Sequence, residues 1–189
     1  MTTPLDQTQA IHPDSLRQAA RGCATGVAVL TTRRGDELFA KTVSSFITLS
    51  MDPPLISVAV GKHSPLIQAA EHSGRLAVSV LRVGQEQLSR HFATPGAGRS
   101  TGAFTDVRTR TEVTGAPVLD GCLTWFDCRL HSVLPGGDHS ILIGMPVAVA
   151  CSEGEPLLYH EGAYHAPAPL TAPSTPRPDR APMASGVRT

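Results

Sequence analysis

A short extended segment, Thr42-Val43-Ser44-Ser45-Phe46, carries hydroxyl side chains that could contact the edge of a flat ligand. Its small side chains allow close approach, and its main-chain N–H and C=O groups can donate and accept hydrogen bonds. Such a backbone suits a planar heterocycle with alternating donors and acceptors along its edge. Taken alone, the segment is more typical of an ordinary strand rich in serine and threonine.

A second segment, Lys62-His63-Ser64-Pro65, has the chemistry that a phosphate requires. Ser64-Pro65 is typical of a helix start, where unpaired N–H groups and the helix dipole favour an anion. Lys62 adds a positive charge, and the chain's only other lysine, Lys41, precedes the first segment. Ser50 is a further hydroxyl candidate for a phosphate or a polyol chain. The same residues also fit an ordinary N-cap serine beside a solvated lysine.

Composition limits the class of protein that can present these segments. The chain has 189 residues, of which 41% are hydrophobic, so one domain with a core is expected. Its formal net charge of zero argues against a nucleic-acid surface and a polybasic membrane patch. No apolar stretch approaches the ~20 residues of a membrane helix, and the first residues lack secretory-signal features. We therefore expect a cytoplasmic protein without nucleic-acid or membrane partners.

Cysteine and histidine spacing predicts no metal site. Cys23, Cys122, Cys128 and Cys151 form no CxxC pair, and there is no HExxH motif. Cys122 and Cys128 lie six residues apart on a predicted strand, so they should point to the same face. We expect buried cysteines that behave as apolar residues.

Hydrophobic periodicity predicts a chain of short strands with few helices. Strands are predicted over 26–32, 37–43, 55–60, 75–81, 107–113 (weakly), 123–134 and 140–150, and helices from about 13 to 23, over 64–71 and over 84–92. Turns of hairpin length favour an antiparallel barrel of seven or eight strands, and GxGxxG is absent. We expect a disordered N-terminus at 1–11, one domain at 12–165, and a disordered, proline-rich tail at 166–189.

Eight motifs follow one another between about residues 16 and 164. They are Thr25-Gly26-Val27, Thr42-x-Ser44-Ser45-Phe46, Ser50-x-Asp52-Pro53-Pro54-Leu55, Ser64, Gln85-x-x-Leu88-Ser89-x-x-Phe92-Ala93, Gly121 with Cys128, Gly137-Asp138-His139 with Gly144, and Leu157-x-Tyr159-x-x-Gly162-x-Tyr164. In this order they resemble the flavin reductase family with the FMN-binding split-barrel fold. The sequence departs from the family pattern at Ala40, at Ser44 and in the segment 98–104.

The resemblance implies an antiparallel split β-barrel and a specific activity. Members of the family transfer hydride from NADH or NADPH to FMN or FAD, and supply the reduced flavin to a separate monooxygenase. The Ser-Ser-Phe variant resembles reductases that accompany monooxygenases of aromatic polyketides, which suggests natural-product metabolism. The resemblance also implies a homodimer whose flavin site lies near the subunit contact.

The same resemblance assigns roles to individual residues. His139, which local sequence alone presents as a surface turn histidine, is implied as the catalytic residue that positions NAD(P)H beside the flavin. Hydride transfer from nicotinamide C4 to flavin N5 needs alignment rather than a protein base. The implied cofactor-binding residues are Lys41, Thr42, Val43, Ser44, Ser45, Ser50, Lys62, Ser64, Phe92, Asp138 and Tyr164. Phe92 and Tyr164 fit equally well as cover for the flavin ring or as core.

Two other functions fit the same residues. A non-catalytic split-barrel protein could store or sense a flavin and would need no nicotinamide pocket at His139. A flavoenzyme could instead act directly on a small metabolite, and it would keep its flavin tightly bound.

Overall fold

A computed structural model of the chain describes residues 11–94, 96 and 101–169. The described residues form three helices, α1 (Pro13–Arg21), α2 (Pro65–Ser73) and α3 (Glu86–Ala93). In the same part of the chain the strands are β1 (Thr25–Gly26), β2 (Ala28–Arg34), β3 (Glu37–Val43), β4 (Ile47–Met51), β5 (Pro54–Gly61), β6 (Arg75–Val80), β7 (Thr109–Thr111), β8 (Pro117–Leu119), β9 (Thr124–Gly136), β10 (His139–Cys151), β11 (Leu158–His160) and β12 (Ala163–His165). Residues 1–10 and 170–189, which hold most of the two ends predicted to be disordered, lie outside the described residues.

Seven strands form one antiparallel sheet in the order β3-β2-β6-β9-β10-β5-β4. The two outermost strands, β3 and β4, are consecutive in the chain and are joined by residues 44–46. Among the described residues no ladder pairs them, so the sheet is not closed. Val43 of β3, Ile56 of β5 and Leu142 of β10 nevertheless share one core cluster. The sheet therefore curls around a common core, as the predicted mainly antiparallel β fold requires.

Helix α2 covers this core, and its predicted position is confirmed. Ser64 is the N-cap, Pro65 is the first helical residue, and Gly74 ends the helix with a left-handed φ of 66°. The residues that α2 buries against the core are Leu66, Ile67, Ala69 and Ala70. Burial of a large apolar side chain contributes about 1.5–3 kcal/mol, so packing fixes where the N-terminus of α2 lies.

A second core cluster lies on the other face of β2, because successive residues of a strand point to opposite faces. Phe92 of α3 is wholly buried there with Val29, Leu81 and Leu157. Backbone hydrogen bonds link Val27, Leu81 and Leu157 and attach the small β1-β11-β12 sheet beside α3. The C-terminal hairpin therefore packs near the edge strand β3.

The two long strands predicted near the C-terminus form the hairpin β9–β10. A two-residue turn, Gly137-Asp138, joins them, and Gly137 has a φ of 73°. Gly144 lies in β10 where the core is tight. A Cβ atom there would lie 3.1 Å from Cys128 Cβ and 3.2 Å from Leu76 Cδ1. This close approach explains why the strand has glycine at that position.

Several sequence predictions were incomplete or wrong. Strand β4 and the short strands β8, β11 and β12 were not predicted, and α1 begins after His12 as its N-cap. No residue of α1 is buried, so this helix adds nothing to the core. Cys122 and Cys128 are buried in different clusters, so the predicted shared face is wrong. Cys23 and Cys151 are exposed rather than buried.

The described residues present neither a membrane-spanning helix nor a cluster of metal ligands. The described helices include none with the length and apolar character needed to cross a membrane. No group of three or more His, Cys, Asp or Glu side chains in these residues could hold a metal ion.

Candidate active site

A hollow of about 430 Å³ lies between β3, the loop from β5 to α2, and the C-terminal end of α3. We call it the lysine hollow. The predicted site residues that line it are Lys41, Lys62, Ser64, Phe92 and Asp138. The structure therefore brings together the two lysines, which are 21 positions apart in the chain, and the predicted helix N-terminus.

Ser64 has a side chain that the helix itself does not use. Its backbone is extended, with φ −68° and ψ 125°, and its hydroxyl makes no capping hydrogen bond. Its backbone N–H donates to the Gly61 oxygen at 2.9 Å, which holds the loop in place. In the first turn of α2, Pro65 has no N–H and the Ile67 N–H donates to the Ser64 oxygen at 3.1 Å. The Ser64 hydroxyl and the Leu66 N–H are therefore the donors that this turn can offer an anion, with Lys62 exposed beside them.

The turn that carries His139 is fixed to the same loop. The Lys62 N–H donates to the Asp138 main-chain oxygen at 3.0 Å. His139 lies opposite Gly61 in the β5–β10 ladder and opposite Gly136 in the β9–β10 ladder. The predicted nicotinamide-positioning residue therefore lies next to Gly61 and Asp138, which line the lysine hollow, but it does not line the hollow itself.

Asp138 and His139 also bond through their side chains. His139 Nδ1 lies 2.8 Å from Asp138 Oδ1. This hydrogen bond and the charge of His139 lower the pKa of Asp138, and the charge of Lys62 lowers it further. Asp138 is therefore held as a carboxylate at the mouth of the hollow.

A second, smaller hollow of about 190 Å³ lies on the neighbouring part of β3. We call it the tyrosine hollow. The residues that line it are Val27, Thr42, Val43, Ser44, Ser89, Ala93, Tyr159 and Tyr164. Because β3 pairs only with β2 among the described residues, its other edge presents unpaired main-chain groups. The extended backbone predicted to contact a planar ring is therefore at an open edge.

The hydroxyl groups of the predicted segment are mostly engaged by the fold. Thr42 Oγ1 donates to the Ser89 oxygen at 2.7 Å. Ser45 Oγ donates to the Ala59 oxygen at 2.8 Å and accepts from the Ala59 N–H at 3.0 Å. These bonds anchor the segment to α3 and β5. They leave its main chain, and the exposed Ser44, as the groups that could contact a ligand.

Ser50 lies apart from both hollows. It lines a different depression of about 380 Å³ with Met51, Phe126, Pro146 and Val149. The surrounding surface is apolar and exposed. Ile47, Leu49, Met51, Val147 and Val149 are 54%, 47%, 80%, 38% and 56% exposed. We call these five side chains the β4–β10 patch.

Comparison with known proteins identifies the family. A model of the flavin reductase like domain matches residues 20–168. The chain belongs to the flavin reductase family. It is 36% identical over 152 residues to the reductase component of 4-hydroxyphenylacetate 3-monooxygenase from Thermus thermophilus, covering 80% of this chain and 94% of that protein. It is 34% identical over 163 residues to an NADH:FMN oxidoreductase of Rhodococcus erythropolis, covering 82% and 81%.

Solved structures of the family agree with the fold. The flavin reductase component of a bacterial two-component tryptophan halogenase has a TM-score of 0.76 at 32% identity, covering 82% of this chain and 98% of that chain. An NADH:FAD oxidoreductase of Streptomyces globisporus, solved with NAD and FAD fragments, has a TM-score of 0.77 at 30% identity, covering 89% and 99%. The predicted family and split-barrel fold are confirmed.

The family's two aromatic candidates have different surroundings here. Phe92 is wholly buried, with its ring 5.2 Å from that of Phe104, so it belongs to the core beneath the lysine hollow. Tyr164 is half-buried in the tyrosine hollow, and its hydroxyl lies 2.8 Å from Ser89 Oγ. The Arg90 guanidinium lies 4.8 Å from the centre of the Tyr164 ring.

Three residues near the site had no predicted role. The rings of Tyr159 and Tyr164 meet edge to face, with their centres 5.3 Å apart. Ser89 contacts the Tyr164 hydroxyl, and Arg90 lies over the face of the Tyr164 ring. Tyr159 and Ser89 stand in motifs of the family, which was the available signal. No sequence signal distinguished Arg90 from the other thirteen of the fourteen arginines in the chain.

Proposed function

We propose that the protein is an NAD(P)H-dependent flavin reductase that binds its flavin across the lysine and tyrosine hollows. One observation carries the proposal: the neighbouring residues Lys41 and Thr42 line the two hollows, so one strand connects a phosphate-type site to an open backbone edge. A flavin has the matching parts, a phosphate at one end and a planar ring at the other. The names of the relatives support the activity.

The residues fit each part of the flavin. The phosphate would lie at the first turn of α2, with the hydroxyl of Ser64 and the charges of Lys62 and Lys41. The ring edge would contact the main chain of 42–45, and Tyr164 would stand beside the ring. Ser50 has no place in this arrangement within one protomer.

His139 would orient the nicotinamide. When bound, a flavin would supply the hydride acceptor, and the chain's contribution would be to hold the donor in line and exclude competing geometries. The side chain of His139 is 49% exposed, so a second ligand could approach its imidazole from solvent. We propose NADH as the donor, as named for the relatives, and either FMN or FAD as acceptor.

A separate flavin-dependent monooxygenase is the proposed recipient of reduced flavin, as the names of the relatives indicate. Both hollows are partly open to solvent, which suits a protein that must release its product. A partner acting on an aromatic substrate follows from the same names.

We further propose a homodimer formed through the β4–β10 patch. Five apolar side chains are exposed there, and β4 is an outermost strand of the main sheet. An exposed apolar surface on a folded domain is typical of a protein contact, and most homo-oligomers are two-fold symmetric.

The test of the activity is direct. The purified protein is mixed with NADH and FMN, then with FAD, and the absorbance at 340 nm is followed. We expect rapid NADH oxidation that depends on added flavin. If neither NADH nor NADPH is oxidised, a flavin-binding module is the better description. If yellow flavin co-purifies and does not exchange, a flavoenzyme with its own substrate is favoured.

A further inference from the structure

We infer that Asp138 is a positioning residue that holds the His139 imidazole in the Nδ1–H tautomer, so that Nε2 is the ring nitrogen presented to the nicotinamide. The inference rests on the proposed function for the identity of the ligand, but the state of the ring can be tested without it.

The side-chain contact depends on the turn. Consecutive residues of a regular strand point to opposite faces, so neighbouring side chains do not normally meet. Asp138 is the second turn residue and His139 the first residue of β10, and their side chains are 2.8 Å apart. The turn is held by the Lys62 N–H on the Asp138 oxygen and by the pairing of His139 with Gly61. The backbone therefore keeps the two side chains within bonding distance.

The chemistry of the pair decides the tautomer. An ionised carboxylate only accepts hydrogen bonds, so the imidazole nitrogen facing it must carry a proton. The pKa of Asp138 is lowered, which keeps the carboxylate ionised. Nδ1 therefore carries the proton whether the ring is neutral or charged. In the neutral ring, Nε2 is an acceptor that can receive the carboxamide N–H of a nicotinamide.

Other charged groups near the pair are on the loop and on β3. Lys62 and His63 of the β5–α2 loop and Lys41 of β3 line the same hollow as Asp138. None of their side chains is recorded in a hydrogen bond to the imidazole in the described residues, so Asp138 is the group that fixes the ring.

The Asp138–His139 pair contributes little to the stability of the fold. Its effect on the imidazole can therefore be tested without unfolding the protein. The side chains of His139 and Asp138 are 49% and 89% exposed. Exposed ion pairs have small effects on stability. Removal of the carboxylate should therefore leave the fold intact and change only the state of the ring.

The first experiment observes the tautomer itself. Protein labelled with ¹⁵N in histidine is studied by NMR through the long-range couplings of the ring nitrogens, at a pH where His139 is neutral. We expect wild-type His139 to be protonated at Nδ1, and Asp138→Ala to shift the ring toward Nε2–H. The Nε2–H tautomer in the wild type, or an unchanged spectrum in Asp138→Ala, would overturn the inference, whatever the activity.

The second experiment is a double-mutant cycle on kcat/KM for NADH. We expect Asp138→Ala to lower it about tenfold, with the Tm unchanged, and to have no further effect in His139→Ala. Asp36→Ala, at the exposed turn of the β2–β3 hairpin, is the matched control and should leave kcat/KM for NADH unchanged. An equal loss in both backgrounds would mean that Asp138 acts without His139. A wild type that oxidises no reduced nicotinamide would reject the proposed function and leave the NMR result standing.

Discussion

At the scale of single residues, Ser64 shows what a local signal can predict. Serine before proline predicted a helix start, and the structure has Ser64 as N-cap with its hydroxyl unused by the helix. The two lysines predicted to accompany it line the same hollow. These features are encoded within a few residues, which is why the sequence was enough to find them.

Removal of the proposed phosphate contacts should affect binding much more than folding. Ser64→Ala combined with Lys62→Ala should raise the flavin Kd by about tenfold or more, since hydrogen bonds to charged groups contribute about 1.5–3 kcal/mol. Flavin titration by fluorescence measures the Kd, and thermal unfolding measures the Tm. Gln68→Ala, on the exposed side of α2, is the control. An unchanged Kd would place the phosphate elsewhere.

Other residues could not be assigned from sequence because their partners are distant in the chain. Thr42 bonds to Ser89, which is 47 residues away, and Ser45 bonds to Ala59, which is 14 residues away. The sequence presented both hydroxyls as ligand contacts. Long-range packing, which no local pattern records, instead uses them to anchor the strand edge.

At the scale of elements, strong periodicity was a reliable guide and weak patterns were not. The hairpins β2–β3 and β9–β10 and the helices α2 and α3 were predicted close to their observed bounds. Strand β4 was missed because it follows the Ser/Thr segment directly and its apolar side chains are exposed rather than buried. Helix α1 lies close to its predicted position, but none of its residues is buried, since apolar spacing alone does not reveal whether a partner surface exists.

A substitution at Gly144 tests the packing of β10 against Cys128 of β9 and Leu76 of β6. Gly144→Ala should lower the free energy of unfolding by about 1–3 kcal/mol, because the added methyl group would overpack Cys128 and Leu76. Urea denaturation measures the change. Gly26→Ala is the matched control, because no atom lies within 4 Å of a Cβ at that position. Equal stability of the two variants would show that the core adapts at Gly144.

A substitution at Tyr164 tests the contact between the β11–β12 hairpin and α3. Tyr164→Phe removes the partner of the buried Ser89 hydroxyl, so we expect a loss of about 1–3 kcal/mol in the free energy of unfolding. Tyr159→Phe is the control, since no hydrogen bond of its hydroxyl is recorded in the described residues and the side chain is 40% exposed. If the two variants unfold alike, the Ser89–Tyr164 bond has no net effect on stability.

At the scale of the whole molecule, the fold leaves an apolar surface that one protomer does not cover. The five side chains of the β4–β10 patch come from an outermost strand and from the distal half of β10. The sequence could not reveal this surface, because it arises only when two segments about one hundred residues apart meet. The family resemblance supplied the expectation of a dimer, and the patch supplies a surface for it.

A charge in the patch should prevent self-association. Met51→Asp with Val149→Asp should convert a dimer into a monomer, because two carboxylates would be buried without partners at a two-fold contact. Analytical ultracentrifugation measures the mass. Val113→Asp, at an apolar side chain that is 67% exposed on another surface, should leave the mass unchanged. A wild type that sediments as a monomer at micromolar concentration contradicts the proposal.

The single main-chain bond from Lys62 to Asp138 has a mechanical consequence. The bond couples the β5–α2 loop to the β9–β10 turn. Neither segment can move away from the other without breaking it. Release of a ligand bound at the loop would then also shift the turn that carries His139, and the reverse would hold for a ligand bound at His139.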